Sequence, residues 1–246
     1  MPDDDESTSF DPVADVYDAT ASDMYEDSVL IPTVDLLAEL AGSGPALELG
    51  IGTGRVALPL AARGIPVSGI DASEKMVQKL REKPGGKDIP VVIGDFSKAT
   101  IDGRFSLAFI VFNTIWNLRT QEKQVACFRN VAQHLQPGGR FVLEMIVPDL
   151  SNIYPGHNMN VFRSDERGWS IDVYEVVTQR LTSNHYWIGD NGRVTVFHGP
   201  GRYIWPAEMD LMAQLAGMQL ENRWGGWKRE PFTELSRSHV SVYKNP

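Results

Sequence analysis

The segment Glu48-Leu-Gly-Ile-Gly-Thr-Gly-Arg55 sets three glycines at alternate positions, where an apolar run passes into a helix-forming one. Pro45 to Leu49 is short, apolar and bounded by Gly, Ser and Pro, which predicts a strand. Arg55 to Arg63 predicts a helix stopped by Gly64, with Pro59 loosening its first turn. Gly50, Gly52 and Gly54 then form the turn between them. Without Cβ they adopt dihedrals closed to other residues and let a ligand lie against bare backbone, while the helix start offers unpaired N–H groups. A dinucleotide fold requires G-x-G-x-x-G at such a turn, with its third glycine at position 55 and a pyrophosphate at the helix N-terminus. Position 55 is arginine, so a nicotinamide oxidoreductase is the weaker enzyme reading.

Further signals follow at regular distances. Ile65 to Asp71 reads as a second strand ending in a carboxylate, 21 positions after Gly50, where a doubly wound fold presents an acid to ribose hydroxyls. Ile89 to Ile93 reads as a third strand leading into Gly94-Asp95-Phe96. Phe105 to Phe112 is a mostly apolar run ending at Asn113, followed by a helical stretch from Gln121 to Leu135. Gln136-Pro-Gly-Gly-Arg140 then leads into an apolar strand, Phe141 to Val147.

The order E-x-G-x-G-x-G, strand–Asp, G-D-F and helix–P-G-G–strand, from Glu48 to Val147, resembles the class I S-adenosylmethionine (SAM) dependent methyltransferases of the bacterial small-molecule and peptide type. The resemblance implies an α/β fold: a Rossmann-like, doubly wound, seven-stranded sheet whose last strand is antiparallel. It implies SAM as cofactor and no metal. Gly50, Gly52 and Gly54 would wrap its methionine end, and Glu48 would orient the loop or the cofactor's amino group. Asp71 would bind ribose, with Ala72 and Met76 beside it; Asp95 would accept from the adenine amino group and Phe96 pack on the ring. Asn113 would lie by the methionine end. In similar enzymes an N-terminal Tyr-Asp pair closes over the cofactor, and Tyr17-Asp18 matches it.

Composition excludes several partners. The net charge of −9 is concentrated at one end: residues 1–27 hold ten of the 32 acids and no Lys or Arg, leaving 22 acids against 23 bases elsewhere. A body so balanced lacks the basic stripe of a nucleic-acid binder. Asn113-Thr-Ile-Trp116 also differs from the Asn/Asp-Pro-Pro-aromatic sequence of amino-methylating nucleic-acid enzymes. No apolar run approaches the roughly 18 residues of a membrane span. The acidic start lacks the form of a secretory signal, and Cys127 is the single cysteine, which rules out an intrachain disulfide. A cytoplasmic protein is expected.

The expected organisation is an acidic, disordered tail (1–10), a helical cap (11–44), the SAM-binding core (45–150), an antiparallel β insertion or lid (151–205), and a C-terminal helix and strand pair completing the core (206–246). Within the insertion, Val161–Phe162, Ile171–Arg180, His185–Ile188 and Val194–Phe197 read as strands, with Gly189–Gly192 a hairpin turn. The sulfonium of SAM is already activated, so the protein must align a nucleophile and exclude water. An amine needs only to arrive deprotonated; a hydroxyl needs a base. His185, Tyr186, His157 and Arg202 in the insertion, with Trp116 and Asn117 after the fourth strand, are the candidates for base or substrate anchor, none carried by a motif. His134 and His239 read as structural. The expected activity is methyl transfer to N or O of a small metabolite or short peptide, in a possible homodimer. The competing class is a SAM-binding protein without methyl transfer, cyclase-like or regulatory.

Overall fold

The strand Ala46–Leu49 is buried along its whole length, as a central parallel strand covered on both faces must be. A computed structural model describes residues 10–189 and 191–246. The expected acidic tail, apart from Phe10, and Asp190 of the Gly189–Gly192 turn lie outside the described residues. In chain order the elements are α1 (Tyr17–Thr20), α2 (Asp27–Ala41), β1 (Ala46–Leu49), α3 (Ala57–Ala62), β2 (Val67–Asp71), α4 (Glu74–Glu82), β3 (Val91–Ile93) and β4 (Phe105–Ile110). There follow α5 (Gln121–His134), β5 (Leu135–Ile146), β6 (Met159–Asp165), β7 (Gly168–Glu175), β8 (Arg180–Ile188), β9 (Val194–Arg202), α6 (Pro206–Leu215), β10 (Gln219–Trp224) and β11 (Ser238–Lys244).

Seven strands form one sheet in the order β10-β11-β5-β4-β1-β2-β3. β1 to β5 are parallel, and β11 runs antiparallel to both β5 and β10. One face is covered by Cys127, Phe128 and Val131 of α5 with Met209 and Met212 of α6. The other is covered by Val34 and Leu37 of α2, Leu60 of α3 and Leu80 of α4. Chain order reverses between β1 and β4, so the loops after these strands open into one crevice at their C-terminal ends, where doubly wound folds bind ligands.

Local chemistry explains the element ends. Leu58 N–H bonds Gly54 O at 3.1 Å, Pro59 has no N–H to continue the ladder, and regular helix starts only at Ala57 rather than at Arg55. Ser73 and Thr120 cap α4 and α5 through their hydroxyls. Gly69 in β2 is a close-approach site, since a Cβ there would sit 2.5 Å from Ile51 Cδ1.

The insertion is a second, four-stranded antiparallel sheet, β6-β7-β8-β9. It corrects one sequence expectation. The run Ile171–Arg180 is not one strand; it breaks at Val176–Gln179, where Gln179 takes φ +57° and Val177 is 96% exposed. Val-Val-Thr carries no turn signal, and the turn is fixed from outside by Gln179. Its Nε2 donates to Tyr203 O at 3.1 Å and to Glu208 Oε2 at 2.8 Å, and its carbonyl accepts from Tyr203 N–H.

His239 lies fully buried in β11, with Nδ1 2.9 Å from Ser241 Oγ. Burial, reinforced by the nearby Arg223 charge, pushes its pKa down to about 4. Because the unfolded chain takes up this proton near pH 6.5 and the folded chain only near 4, stability is lost as pH falls through that window, by up to ~3 kcal/mol. Urea unfolding at pH 7.5 and pH 4.5 is expected to show a smaller acid loss in His239→Gln than in the wild type.

Candidate cofactor and acceptor site

The three loop glycines all adopt left-handed backbone, with φ +75°, +54° and +82° at Gly50, Gly52 and Gly54. Packing fixes the outer two: a Cβ at Gly50 would lie 2.4 Å from Thr114 Cγ2, and one at Gly54 2.4 Å from Leu80 Cδ1. Gly52 meets only Met76 Cε, at 3.4 Å, and its N–H donates to Asp71 Oδ2 at 2.6 Å. Asp71 ends β2, and its other oxygen accepts from Ser73 N–H at 2.8 Å. Each carboxylate oxygen retains a lone pair for a ligand hydroxyl. Burial raises the Asp71 pKa against the lowering effect of these N–H bonds. Glu48, 2% exposed, has Oε2 without a partner. Burial pushes its pKa up to about 8; Arg55 pulls it down and Asp71 pushes it further up. An orphaned acceptor beside a bare-backbone loop fits a ligand that carries an amino group.

Around this loop the other expected residues take distinct positions. Asp95 Oδ1 accepts from Ser97 N–H at 2.8 Å, and Oδ2 lies 3.9 Å from Lys123 Nζ. Phe96 is buried in the core cluster with Leu47 and Phe128, so it has a packing role whatever else it touches. Met76 is buried on α4, and Ala72 is half-buried between Asp71 and Ser73. Asn113 and Phe112 both occupy the left-handed region, at φ +59° and +54°, a costly state for phenylalanine that surrounding contacts must hold. Phe112 N–H donates to Glu144 Oε2 at 2.9 Å, and Asn113 Oδ1 accepts from Ile146 N–H at 2.7 Å. The Arg55 guanidinium lies 5.8 Å from the Phe112 ring centre.

The cap closes on the loop through Asp18. Its Oδ1 accepts from Tyr25 Oη and from Thr53 Oγ1, each at 2.6 Å, and its Oδ2 lies 2.5 Å from Lys83 Nζ. Burial would raise the Asp18 pKa, but the bonds from Lys83, Thr53 and Tyr25 outweigh it and leave it lowered. Ser73 Oγ donates to Asp11 at 2.5 Å, and Arg55 to Met24 O at 3.2 Å. Neighbouring Tyr17 thus sits over the loop with its phenol raised in pKa by burial and acted on by Arg55, Asp71, Asp18 and Glu48. The sequence flagged the Tyr-Asp pair; of the residues that hold Asp18, Thr53 lies within the glycine loop, whereas Tyr25 and Lys83 belong to no motif.

Strand alternation sorts the lid candidates. His185 shares a face with Ser170, Asp172, Tyr174 and Ser183 on paired strands, and with Phe197 of β9. The Phe197 ring lies tilted 5.5 Å from that of Phe10 of the cap, which in turn meets Tyr17 edge-on at 6.0 Å, so this face turns toward the cap. Tyr186 lies on the opposite face, stacked on Trp169 at 5.0 Å, and does not join the site. His157 is in an exposed turn, bonded through Nδ1 to Asn152 O and stacked on Tyr154. Arg202 ties the lid to the core, bonded to Gln124, Gln179 and Glu208. Trp116 and Asn117 lie on a short 3₁₀ turn after β4, Trp116 against Tyr174, Leu181 and Tyr203. His134 is structural, accepting from Ile101 N–H and bonded to Asn130 O.

Residues 46–139 match the methyltransferase-domain family. A cypemycin N-terminal methyltransferase from Streptomyces sp. is 30% identical over 237 residues, spanning 92% of this chain and 96% of that protein. The solved CcbJ methyltransferase from Streptomyces caelestis is 35% identical, with a TM-score of 0.85 over 97% of this chain and 98% of its own. CalS10, a SAM-bound amino pentose methyltransferase from Micromonospora echinaspora, shares the fold at 20% identity, with a TM-score of 0.68 over 94% of this chain and 97% of that one. No helix among the described residues is long and apolar enough to cross a membrane.

The raised Glu48 pKa has a measurable consequence in the ligand-free protein. An unfolded glutamate ionises near pH 4.5, whereas folded Glu48 holds its proton to about pH 8, so folding stability declines as pH rises through that window. Glu48→Gln removes this penalty. Its Tm is expected to exceed that of the wild type at pH 8 by several degrees and to match it at pH 4.5, as scanning calorimetry without ligand would record.

Proposed function

Because this chain belongs to the class I SAM-dependent methyltransferases, we propose that its methyl acceptor is an amine nitrogen of a small metabolite or short peptide. The observation that carries the choice of nitrogen is the state of His185, the imidazole on the inner face of the lid. Its Nδ1 lies 3.1 Å from Ser170 Oγ and its Nε2 3.1 Å from Ser183 Oγ, and burial, with the Arg163 charge, lowers its pKa. A neutral ring engaged at both nitrogens offers no free lone pair to a hydroxyl proton. An amine that arrives deprotonated needs none. The similarity to an N-terminal methyltransferase along nearly the whole chain supports the same reading.

When bound, SAM supplies a methyl group on a positively charged sulfur. The chain's contribution is to bind, orient and exclude water. Gly50, Gly52 and Gly54 give the methionine portion an uncluttered backbone, and Glu48 meets its amino group, which pairs the orphaned carboxylate. Asp71 accepts from the ribose hydroxyls beside Ala72 and Met76. Asp95 accepts from the adenine amino group next to Phe96, and Asn113 lies at the methionine end. Tyr17 covers the site, held by the Asp18 contacts, and the lid closes it from the opposite side. Held there, SAM would supply an electrophilic methyl group to an amine lone pair aligned with it, and the residues above would hold the two in line and keep water out.

We extend the reading to a homodimer through the outer face of the lid, where Met159, Val161, Trp169, Val194 and Val196 are exposed. An apolar patch of this kind marks an interaction surface.

Calorimetry tests the cofactor assignments: Asp71→Ala and Asp95→Ala are each expected to weaken SAM binding about tenfold or more, as loss of a charge-assisted hydrogen bond does. Unchanged affinity in both removes the ribose and adenine roles. For the acceptor, S-adenosylhomocysteine is expected to form with free-amine peptides or amino sugars and not with their N-acetyl derivatives; turnover on alcohols alone would refute the nitrogen assignment.

A further inference from the structure

The inner face of the lid carries a second orphaned carboxylate. Asp172 of β7 is 7% exposed, and its Oδ1 has no hydrogen-bond partner. Its Oδ2 accepts from Tyr174 Oη at 3.3 Å, and the neighbouring Ser183 hydroxyl works against the rise in its pKa that burial causes. The register places it in the middle of the roof over the cleft. One step along the same face, Tyr174 and Leu181 rest with Trp116 of the 3₁₀ turn after β4; one step the other way, the Ser170 and His185 pair leads to Phe197, Phe10 and Tyr17. Opposite Ser183, β9 contributes Gly199, and opposite Leu181 it contributes Gly201; the Phe197 ring leans toward the first, 3.2 Å from where a Cβ would stand, and Trp116 packs on the second. A buried donor without a partner lies at the same junction, the Trp116 indole Nε1.

The geometry points to Asp172 as the residue that binds the acceptor's amino group, with the Trp116 indole N–H donating to an acceptor atom on the same substrate. This rests on the amine reading above. An orphaned carboxylate oxygen shut away from water costs free energy that only a partner recovers, and a neutral amine can donate an N–H to it while its nitrogen lone pair stays free for the methyl group. Burial also raises the Asp172 pKa, a penalty that an approaching amine N–H would relieve. Glu48 provides the parallel: in each half of the cleft a sealed carboxylate is left with one oxygen unpaired, one toward the cofactor and one beneath the lid.

The test is calorimetry with the full chain saturated with S-adenosylhomocysteine, using trialanine, glucosamine and their N-acetyl derivatives as probes. The wild type is expected to bind at least one free amine about tenfold or more tightly than its acetylated counterpart, the range for a hydrogen bond to a charged group. Asp172→Asn, which keeps the shape and removes the charge, is expected to lose that preference while its affinity for S-adenosylhomocysteine stays unchanged. Asp172→Ser repeats the reading should the amide prevent folding, and Ser183→Ala, which leaves the carboxylate in place, is expected to retain the preference. A wild type without any free-amine preference, or an Asp172→Asn protein that keeps it, overturns the assignment. Methylation of amines that survives intact in Asp172→Asn would remove this role alone, whereas a protein that methylates only alcohols would remove the amine reading itself.

Discussion

The hydrogen bond from the Gly52 N–H to Asp71 Oδ2, 2.6 Å long, joins the glycine loop after β1 to the end of β2, and the geometry of the cleft depends on it. Asp71 spans the two elements because its other oxygen is held by Ser73 N–H at the start of α4. Ser73 in turn caps α4 through Met76 N–H and donates to Asp11 of the cap. One carboxylate thereby sets the loop, a helix start and, through a neighbour, the cover. Bonds to an ionised acceptor contribute about 1.5–3 kcal/mol each, enough to hold left-handed backbone at three successive alternate positions when only glycine occupies them.

Several groups around that carboxylate are held in states that would be unfavourable in isolation. Glu48 is buried with an unpaired oxygen, and Phe112 and Asn113 sit in left-handed backbone without being glycine. The two left-handed residues are held by neighbours: Glu144 takes the Phe112 N–H and the Trp227 indole N–H on its two oxygens, and Asn113 bridges to Ile146. Strain of roughly 1–3 kcal/mol per residue persists where the surroundings enforce it, and it gathers where ligands bind. Away from the cleft, two apolar clusters sandwich the sheet. Stability is thus concentrated in the layers, and the cleft uses some of it.

Much of this was legible from residue order. Three alternating glycines after an apolar strand, an acid at the end of the next, and Pro-Gly-Gly before another apolar strand carry local conformational meaning, because each residue type restricts its own backbone. The lid was legible only as β-rich. Its faces were not, because the turn at Val176–Gln179 is written in residues that favour strands, and a missed turn scrambles the alternation on which inward and outward assignments rest. Tyr186 and His185 are adjacent in sequence and equally plausible there as catalytic groups; the pleat separates them. Asp172 was invisible for the same reason, an acid in a strand being unremarkable until its burial and its missing partner are seen.

The sequence by itself determined the α/β layering, which follows from local backbone preferences and short-range spacing, and its resemblance to a known family implied the cofactor. Tertiary structure decided the rest. Which residues fasten the cap, which face of the lid overlooks the cleft, and which buried carboxylates lack a partner all depend on contacts between segments far apart in the chain. Asp18 meets Thr53 and Lys83, Phe10 meets Phe197, and Trp116 meets Tyr174. Desolvation and hydrogen-bond satisfaction are properties of such assembled surroundings, and no residue carries them until the chain has folded around it.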